Sequence, residues 1–255
     1  MSIIFTTAFK DIKRSTWNSY KRTNQNYYDN FYNLVDTIQY KLIVYLEPDS
    51  KAQIINNKVF NDNIIFIDMN DVDTFYRKYL EKDKAIIESD IYKKKIPEHR
   101  KNNPEHVFSE YTMITNSKIN FIKHTQHLFP TYEYYSWIDF CTFNSNINNI
   151  PKNININLLV PKITYSCLNI LPTISIEPNY MLGSDTIYFD GSSFIVYNTY
   201  VTLLHDLWEK KIIEYQDKMI TDDDQNLVLQ LYFDNPEIFN IIYNKEWFKL
   251  YKHLQ

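Results

Sequence analysis

The sequence predicts an α/β fold: one domain built on a mostly parallel sheet with helices on its faces. Three observations lead there. Short apolar runs recur at 2–8, 41–46, 63–67 and 134–138; strands buried on both faces read as such runs, whereas half-exposed strands alternate. Segments with apolar residues at three- and four-residue spacing lie between them, the mark of amphipathic helices. No internal repeat or low-complexity linker divides the 255 residues, and 44% hydrophobic against 23% charged is a globular mix able to bury one full core.

The elements follow in order. Ser2-Ile3-Ile4-Phe5-Thr6-Thr7-Ala8 is short, apolar and rich in β-branched residues, hence a strand. A polar, basic turn follows at 10–14. Tyr28, Phe31, Tyr32, Val35 and Ile38 put one apolar face on a helix over 25–39. The strand at 41–46 ends at Glu47-Pro48-Asp49, and the one at 63–67 ends at Asp68. Phe75, Tyr79 and Ile86 mark a helix over 74–95, and Pro97 and Pro104 mark the loop after it. A further helix spans 107–128, and the strand 134–138 closes at Asp139. An Asn-rich loop is expected at 144–157, β-rich pieces at 155–160, 173–177 and 193–197, and helices at 198–215 and 222–233.

Composition excludes several functions. With only two glycines, Gly183 and Gly191, the chain can hold no Gly-rich phosphate loop, so P-loop and ordinary dinucleotide-binding sites are out. Cys141 and Cys167 make neither a disulfide framework nor a C-x-x-C metal site, which suits a reducing compartment. A net charge of −4 gives no nucleic-acid footprint. The start lacks a signal-peptide core, and no run is long enough to span a membrane, so a cytoplasmic protein is expected. The 34 Ile, 28 Asn, 23 Lys and 22 Tyr, against 3 Ala and 4 Arg, follow AT-rich codons. Tyrosine or asparagine clusters therefore carry little functional weight, whereas each arginine carries more.

In open α/β sheets, ligands bind outside the carboxyl ends of the strands. Polar residues stand there at 7–14, at 68–73 and at Asp139. A carboxylate on a rigid strand end suits a hard divalent cation, Mg²⁺ or Mn²⁺, bridging to a diphosphate; on spacing alone, a turn former explains Asp139 more simply. Asp71-Val72-Asp73 is a D-x-D by letter, but helix capping accounts for it. Thr221-Asp222-Asp223-Asp224-Gln225 is the densest acidic cluster. Crowding raises the proton affinity of one carboxyl, as a general base needs, while Thr221 or Asp222 serves equally as an N-cap. Arg14 and Lys118 could neutralise phosphates, or stand as solvated surface cations. The pairs His99/His106 and His124/His127 lack the partners of a transition-metal site, His205 reads as structural, and Cys141 has no base to make it a nucleophile.

Several blocks then resemble a known family. Thr6-Thr7-Ala8-Phe9-Lys10-Asp11-Ile12-Lys13-Arg14 with Trp17 and Tyr20 resembles the start of the HtrL/YibB-type bacterial proteins. Asn116-Ser117-Lys118, Tyr135-Ser136-Trp137-Ile138-Asp139-Phe140, Asp223-Asp224-Gln225 and Asn235-Pro236-Glu237-Ile238-Phe239 fit the same family. It has relatives in large DNA viruses, a source that suits the AT-rich composition and would place the protein in host cytoplasm.

That family resembles GT-A glycosyltransferases. The resemblance implies a GT-A-like, Rossmann-type mixed sheet in one domain, with a nucleotide-binding half at 1–143 and an acceptor or catalytic half at 144–255. Thr6, Thr7, Ala8, Phe9 and Arg14 would line the nucleotide pocket, and Lys118 would face the donor. Asp139 would be the metal ligand for Mn²⁺ or Mg²⁺. Gly183, Ser184 and Asp185 would form the loop beside the donor sugar, and Asp224 or Asp223 would meet the acceptor hydroxyl. The second aspartate of a D-x-D falls on Cys141, so one carboxylate, water and the diphosphate would hold the metal; His253 is either a further ligand or a tail residue. The activity implied is metal-assisted transfer from a nucleotide-sugar donor, first a UDP-sugar, to a glycan or glycoprotein hydroxyl, by a monomer or homo-oligomer. The alternatives are a non-catalytic nucleotide-sugar or glycan-binding protein, or a virion structural protein, on the same fold.

Overall fold

The computed structural model describes residues 2–141 and 147–255. The expected boundary between halves and the start of the expected 144–157 loop lie outside the described residues. From the N-terminus, β1 (Ile3–Phe9), α1 (Asn24–Thr37), β2 (Leu42–Leu46), α2 (Pro48–Asn57) and β3 (Ile64–Asp68) alternate as expected. Next come α3 (Phe75–Glu88), α4 (Asp90–Lys95), α5 (Pro104–Val107), α6 (Ser109–Asn116), α7 (Lys118–Leu128) and β4 (Tyr134–Ile138). The remainder holds β5 (Ile163–Cys167), α8 (Pro178–Met181), β6 (Phe189–Tyr197), α9 (Val201–Asp217), α10 (Asp224–Asp234) and β7 (Phe239–Tyr243).

The seven strands form one sheet in the order β3-β2-β1-β4-β6-β5-β7. The first four run parallel; β6 is antiparallel to both β4 and β5, and β7 is parallel to β5. This is the expected mixed, mostly parallel sheet. Its pleat sorts the core in two. Phe5, Phe9, Leu42, Val44, Leu46 and Ile138 point to the face covered by α1, α2 and the C-terminal turn at Leu250–Leu254. Ile4, Ile43, Tyr45, Tyr135 and Trp137 point to the face covered by α3, α7, α9 and α10. Both faces are buried, which is why these strands read as continuous apolar runs.

The structure corrects several expected elements. The helix over 74–95 breaks at Ser89, whose N–H bonds Ile86 O at 3.0 Å and whose hydroxyl caps α4 by accepting from Tyr92 N at 3.2 Å. The helix over 107–128 breaks at Ser117. Neither 155–160 nor 173–177 is a strand: the first holds a single tight turn at Ile156–Leu158, and the second is irregular. The strands there are β5 and β7, short runs whose partners are fixed by the sheet rather than by their own pattern. The acidic cluster is capped one residue later than expected: Asp223, not Thr221 or Asp222, is the N-cap of α10, accepting from Gln225 N at 3.1 Å.

Candidate functional site

The chain leaves β1 toward β2 on one side, yet β4 pairs with β1 on the other, so the strand order reverses between β1 and β4. Such a reversal opens a crevice at the carboxyl ends of the strands. A cleft of about 560 Å³ lies there, a size suited to a small-molecule ligand. It takes Phe9 from the end of β1, Asp139 from the end of β4, Lys118 from the first turn of α7, and Asp223 and Asp224 from the start of α10.

Lys118 is the centre of this group. It is buried, and its Nζ donates to Gly191 O at 2.7 Å and Asp224 Oδ2 at 2.8 Å and lies 3.1 Å from Asp139 Oδ1. Burial works against its charge, but the Asp139 and Asp224 carboxylates outweigh that and raise its pKa. A lysine at the first position of a helix also opposes the helix dipole, so nothing local favours it there. The two residues before it brace the same place. Asn116 Nδ2 donates to Asp222 O at 2.9 Å, tethering the loop ahead of α10, and Ser117 Oγ accepts from Tyr76 N at 2.9 Å in the first turn of α3. Trp137 Nε1 donates to Asp139 Oδ1 at 2.6 Å and aims that carboxylate.

Asp224 stands in the first turn of α10, where the dipole favours a carboxylate. Burial raises its pKa, Lys118 lowers it and Asp139 raises it again, leaving it at about 6. Asp223 also lines the cleft, but its Oδ1 caps the helix, and burial with Asp222 and Asp224 beside it pushes it well above the carboxylate range. Gly191 makes the close approach of β6 and α10 feasible: a Cβ there would sit 2.7 Å from Asp224 Oδ2.

Arginines also line the cleft. Of the four in the chain, Arg14, Arg22 and Arg100 line the cleft. Arg100 is paired with Glu105 at 2.8 Å. Arg14 donates twice to Tyr20 O, at 2.9 and 3.3 Å, and once to Tyr27 Oη at 3.0 Å, with its guanidinium 5.0 Å from the Trp17 ring centre. Arg22 donates to Cys141 Sγ at 3.4 Å. Among the described residues neither Arg14 nor Arg22 pairs with a carboxylate. Tyr20 holds a left-handed backbone (φ 57°) in this loop, as Phe248 (φ 64°) does on the opposite rim, a strained choice for residues other than glycine.

Of the residues expected at the site, Ala8, Phe9, Arg14, Lys118, Asp139, Ser184, Asp185, Asp223 and Asp224 come together around the cleft. Thr6 and Thr7 do not line it: both are fully buried in β1, with Thr6 bonded to Thr125 Oγ1 at 3.0 Å. Gly183 lies behind it, packed toward Pro97. His253 is not among the residues lining the cleft, and His205 and His124 bond their neighbours as structural residues do. Sequence reasoning missed Arg22, Trp137 and Gly191. The scarcity of arginine and glycine was the signal for two of them, and it was followed to Arg14 and Gly183 instead.

The donor set around Asp139 does not fit Mn²⁺ or Mg²⁺. Asp139 Oδ1 already meets an indole N–H and an ammonium, and the same ammonium holds Asp224 Oδ2 at 2.8 Å. Among the described residues no group of three or more His, Cys, Asp or Glu side chains gathers to hold an ion. Hard divalent cations need several oxygen ligands, and Lys118 Nζ already engages one oxygen of Asp139 and one of Asp224.

Known proteins share this chain's pattern at several levels. The family model described as "Bacterial protein of unknown function (HtrL_YibB)" matches residues 1–255. Protein HtrL of Escherichia coli (strain K12) is 21% identical over 262 residues, covering 96% of this chain and 90% of that protein. Mouse Xyloside xylosyltransferase 1, apo form, aligns in three dimensions over 95% of this chain and 85% of its own, with 11% identity and a TM-score of 0.45. The 4-diphosphocytidyl-2C-methyl-D-erythritol synthase of Anaerococcus prevotii DSM 20548 aligns over 98% and 88%, with 13% identity and a TM-score of 0.41. No helix among the described residues is long and apolar enough to cross a membrane.

Proposed function

The chain belongs to the HtrL/YibB family, and from that premise we propose that it is a glycosyltransferase moving a sugar from a nucleotide-sugar donor to an acceptor hydroxyl. The observation that carries this reading is the company kept in one cleft at the β1–β4 reversal: two arginines without carboxylate partners among the described residues line it together with a lysine-clamped pair of aspartates. Fixed guanidiniums suit a diphosphate, because their planar forks donate two N–H groups to phosphate oxygens. Asp224 suits the acceptor hydroxyl: with a pKa of about 6 it is ionised at neutral pH yet more basic than an ordinary carboxylate.

In the reaction the bond between the sugar C1 and the diphosphate oxygen breaks, and its electron pair leaves with the diphosphate. The acceptor oxygen bonds C1, and its proton goes to Asp224. Arg14 and Arg22 face the oxygens on which negative charge develops, which is where preorganised donors lower a barrier most. A UDP-sugar as donor and a glycan or glycoprotein as acceptor are the first substrates to try.

Melting temperature measured against a panel of nucleotide sugars tests the reading without knowledge of the acceptor. A ligand held only by the folded state stabilises it by about 2.7 kcal/mol at a hundred times its Kd. A shift with one nucleotide class is expected, and no shift with any donor at millimolar concentration would overturn the proposal. Asp224→Asn should preserve that shift and lower donor turnover by about 10²–10⁴-fold; turnover near the wild-type rate removes Asp224 from the base role.

A further inference from the structure

We propose that this cleft works without a divalent cation: the Lys118 ammonium joins Asp139 to Asp224, and Arg14 and Arg22 take the charge of the departing diphosphate. This rests on the reading of the protein as a nucleotide-sugar transferase and specifies how that site handles charge.

The first support is occupancy. An ammonium has three protons, and Lys118 Nζ has three oxygens around it, Gly191 O at 2.7 Å, Asp224 Oδ2 at 2.8 Å and Asp139 Oδ1 at 3.1 Å. A divalent ion joining the two carboxylates would sit about 2.0–2.6 Å from each oxygen, in the space Nζ fills. Moving Lys118 aside would break all three contacts and leave a buried ammonium beside a dication. Its backing is also fixed, since Asn116 and Ser117 tie the start of α7 to the loop before α10 and to α3.

The second support is the distribution of the remaining charge. With three donors engaged, Lys118 has none left for a phosphate, so it is a positioning residue that sets the two aspartates. The cations free to meet phosphate are Arg14 and Arg22, which line the same cleft. Arg14 has five N–H groups, of which three are engaged with Tyr20 O and Tyr27 Oη, leaving two for a ligand. Arg22 meets the Cys141 sulfur, a weak acceptor that a phosphate oxygen readily replaces, and the Tyr27 hydroxyl, with no carboxylate partner among the described residues. Lysine is the abundant cation in this chain, 23 against 4 arginines, so two unpaired arginines in one cleft stand out from the composition. As the sugar leaves, the electron pair passes to the diphosphate oxygen and these two guanidiniums meet it. The proton of the acceptor goes to Asp224, and no oxidant or reductant is needed.

Calorimetry with UDP, GDP and CMP, in EDTA and again in millimolar Mn²⁺, tests the inference. The nucleotide that binds should do so with a Kd equal within about threefold in the two buffers, and about tenfold or more weaker in Arg14→Met and in Arg22→Met. A Kd that improves about tenfold or more on adding Mn²⁺ overturns the inference while leaving the transferase reading standing. If no nucleotide binds in either buffer, the transferase reading fails. The diphosphate role of Arg14 and Arg22 then falls with it, and Mn²⁺ alone, followed through its paramagnetic resonance, tests the Lys118 bridge: binding to the wild type that Asp139→Asn abolishes overturns the bridge as a substitute for the ion, and no binding supports it. Lys118→Ala gives a positive readout that a merely structural lysine would not. It opens the space between the carboxylates, so its melting temperature should rise with Mn²⁺ while that of the wild type does not; a folded Lys118→Ala indifferent to Mn²⁺ counts against the proposal. Should that variant fail to fold, the wild-type measurements still decide.

Discussion

On the cleft side of the 221–224 segment, Asp224 hydrogen-bonds an ammonium; on the rear side, the hydrogen bonds that Asp222 and its neighbour Asp83 accept come from neutral donors. Asp222 Oδ1 accepts from Asp223 N at 2.9 Å and its Oδ2 from Asn226 Nδ2 at 2.7 Å, while Asp83 accepts from the Thr221 hydroxyl. Asp83 Oδ2 is fully buried without a partner among the described residues. Burial raises all these carboxyls; Lys118, in direct contact, offsets it at Asp224, and the more distant Arg100 offsets it in part at Asp222. The same three-letter run of aspartates thus holds a group poised for chemistry and groups that serve packing. What separates them is the partner brought by α7, not the local sequence.

Removing that partner should have the largest effect. Lys118→Met leaves two carboxylates facing each other with no counter-charge, and urea unfolding at neutral pH should show a loss of about 3–5 kcal/mol. A loss under about 1 kcal/mol would put the two sides of the segment on an equal footing. The next largest effect contrasts the two glycines. Gly191→Ala drives a methyl into Asp224 and should cost about 1–3 kcal/mol, whereas Gly183→Ala, whose Cβ would meet only Pro97 Cγ at 3.3 Å, should stay within about 0.5 kcal/mol.

The smallest effect belongs to the rear. Asp83 has a folded-state pKa of about 7 against an ordinary 3.8, so the native protein holds a proton that the unfolded chain releases between those values. Its contribution is therefore full below about pH 4 and is lost as pH rises through about 7. Asp83→Asn should flatten that fall and gain about 1 kcal/mol at about pH 8. An unchanged slope in a pH series of unfolding curves would mean that Asp83 is ionised in the native state.

The site was legible in parts, for reasons its residues make plain. Asp139 could be found because it ends an apolar run, and a residue at the carboxyl end of a parallel strand faces the ligand side by geometry alone. Thr6 and Thr7 came to the pocket through the family resemblance, but both are interior to β1, which runs to Phe9, and they do not line the cleft. Lys118 carried little from its own neighbours, because its meaning comes from Asp224, 106 residues later. The single break at Ser117 that puts Lys118 at a helix start lies inside a segment whose periodicity reads as one long helix.

By itself the sequence determined the parallel core, since strands buried on both faces must be apolar throughout and helices between them must be amphipathic. It also excluded Gly-rich phosphate loops, because two glycines cannot build one. Only the tertiary structure decided the strands β5 and β7, whose short runs acquire meaning from the neighbours they pair with, and the clustering of Lys118, Asp139 and Asp224. Long-range contacts of this kind leave no periodic trace. A side chain's charge and burial are set by whatever the fold brings beside it, and that information is spread over residues far apart in the chain.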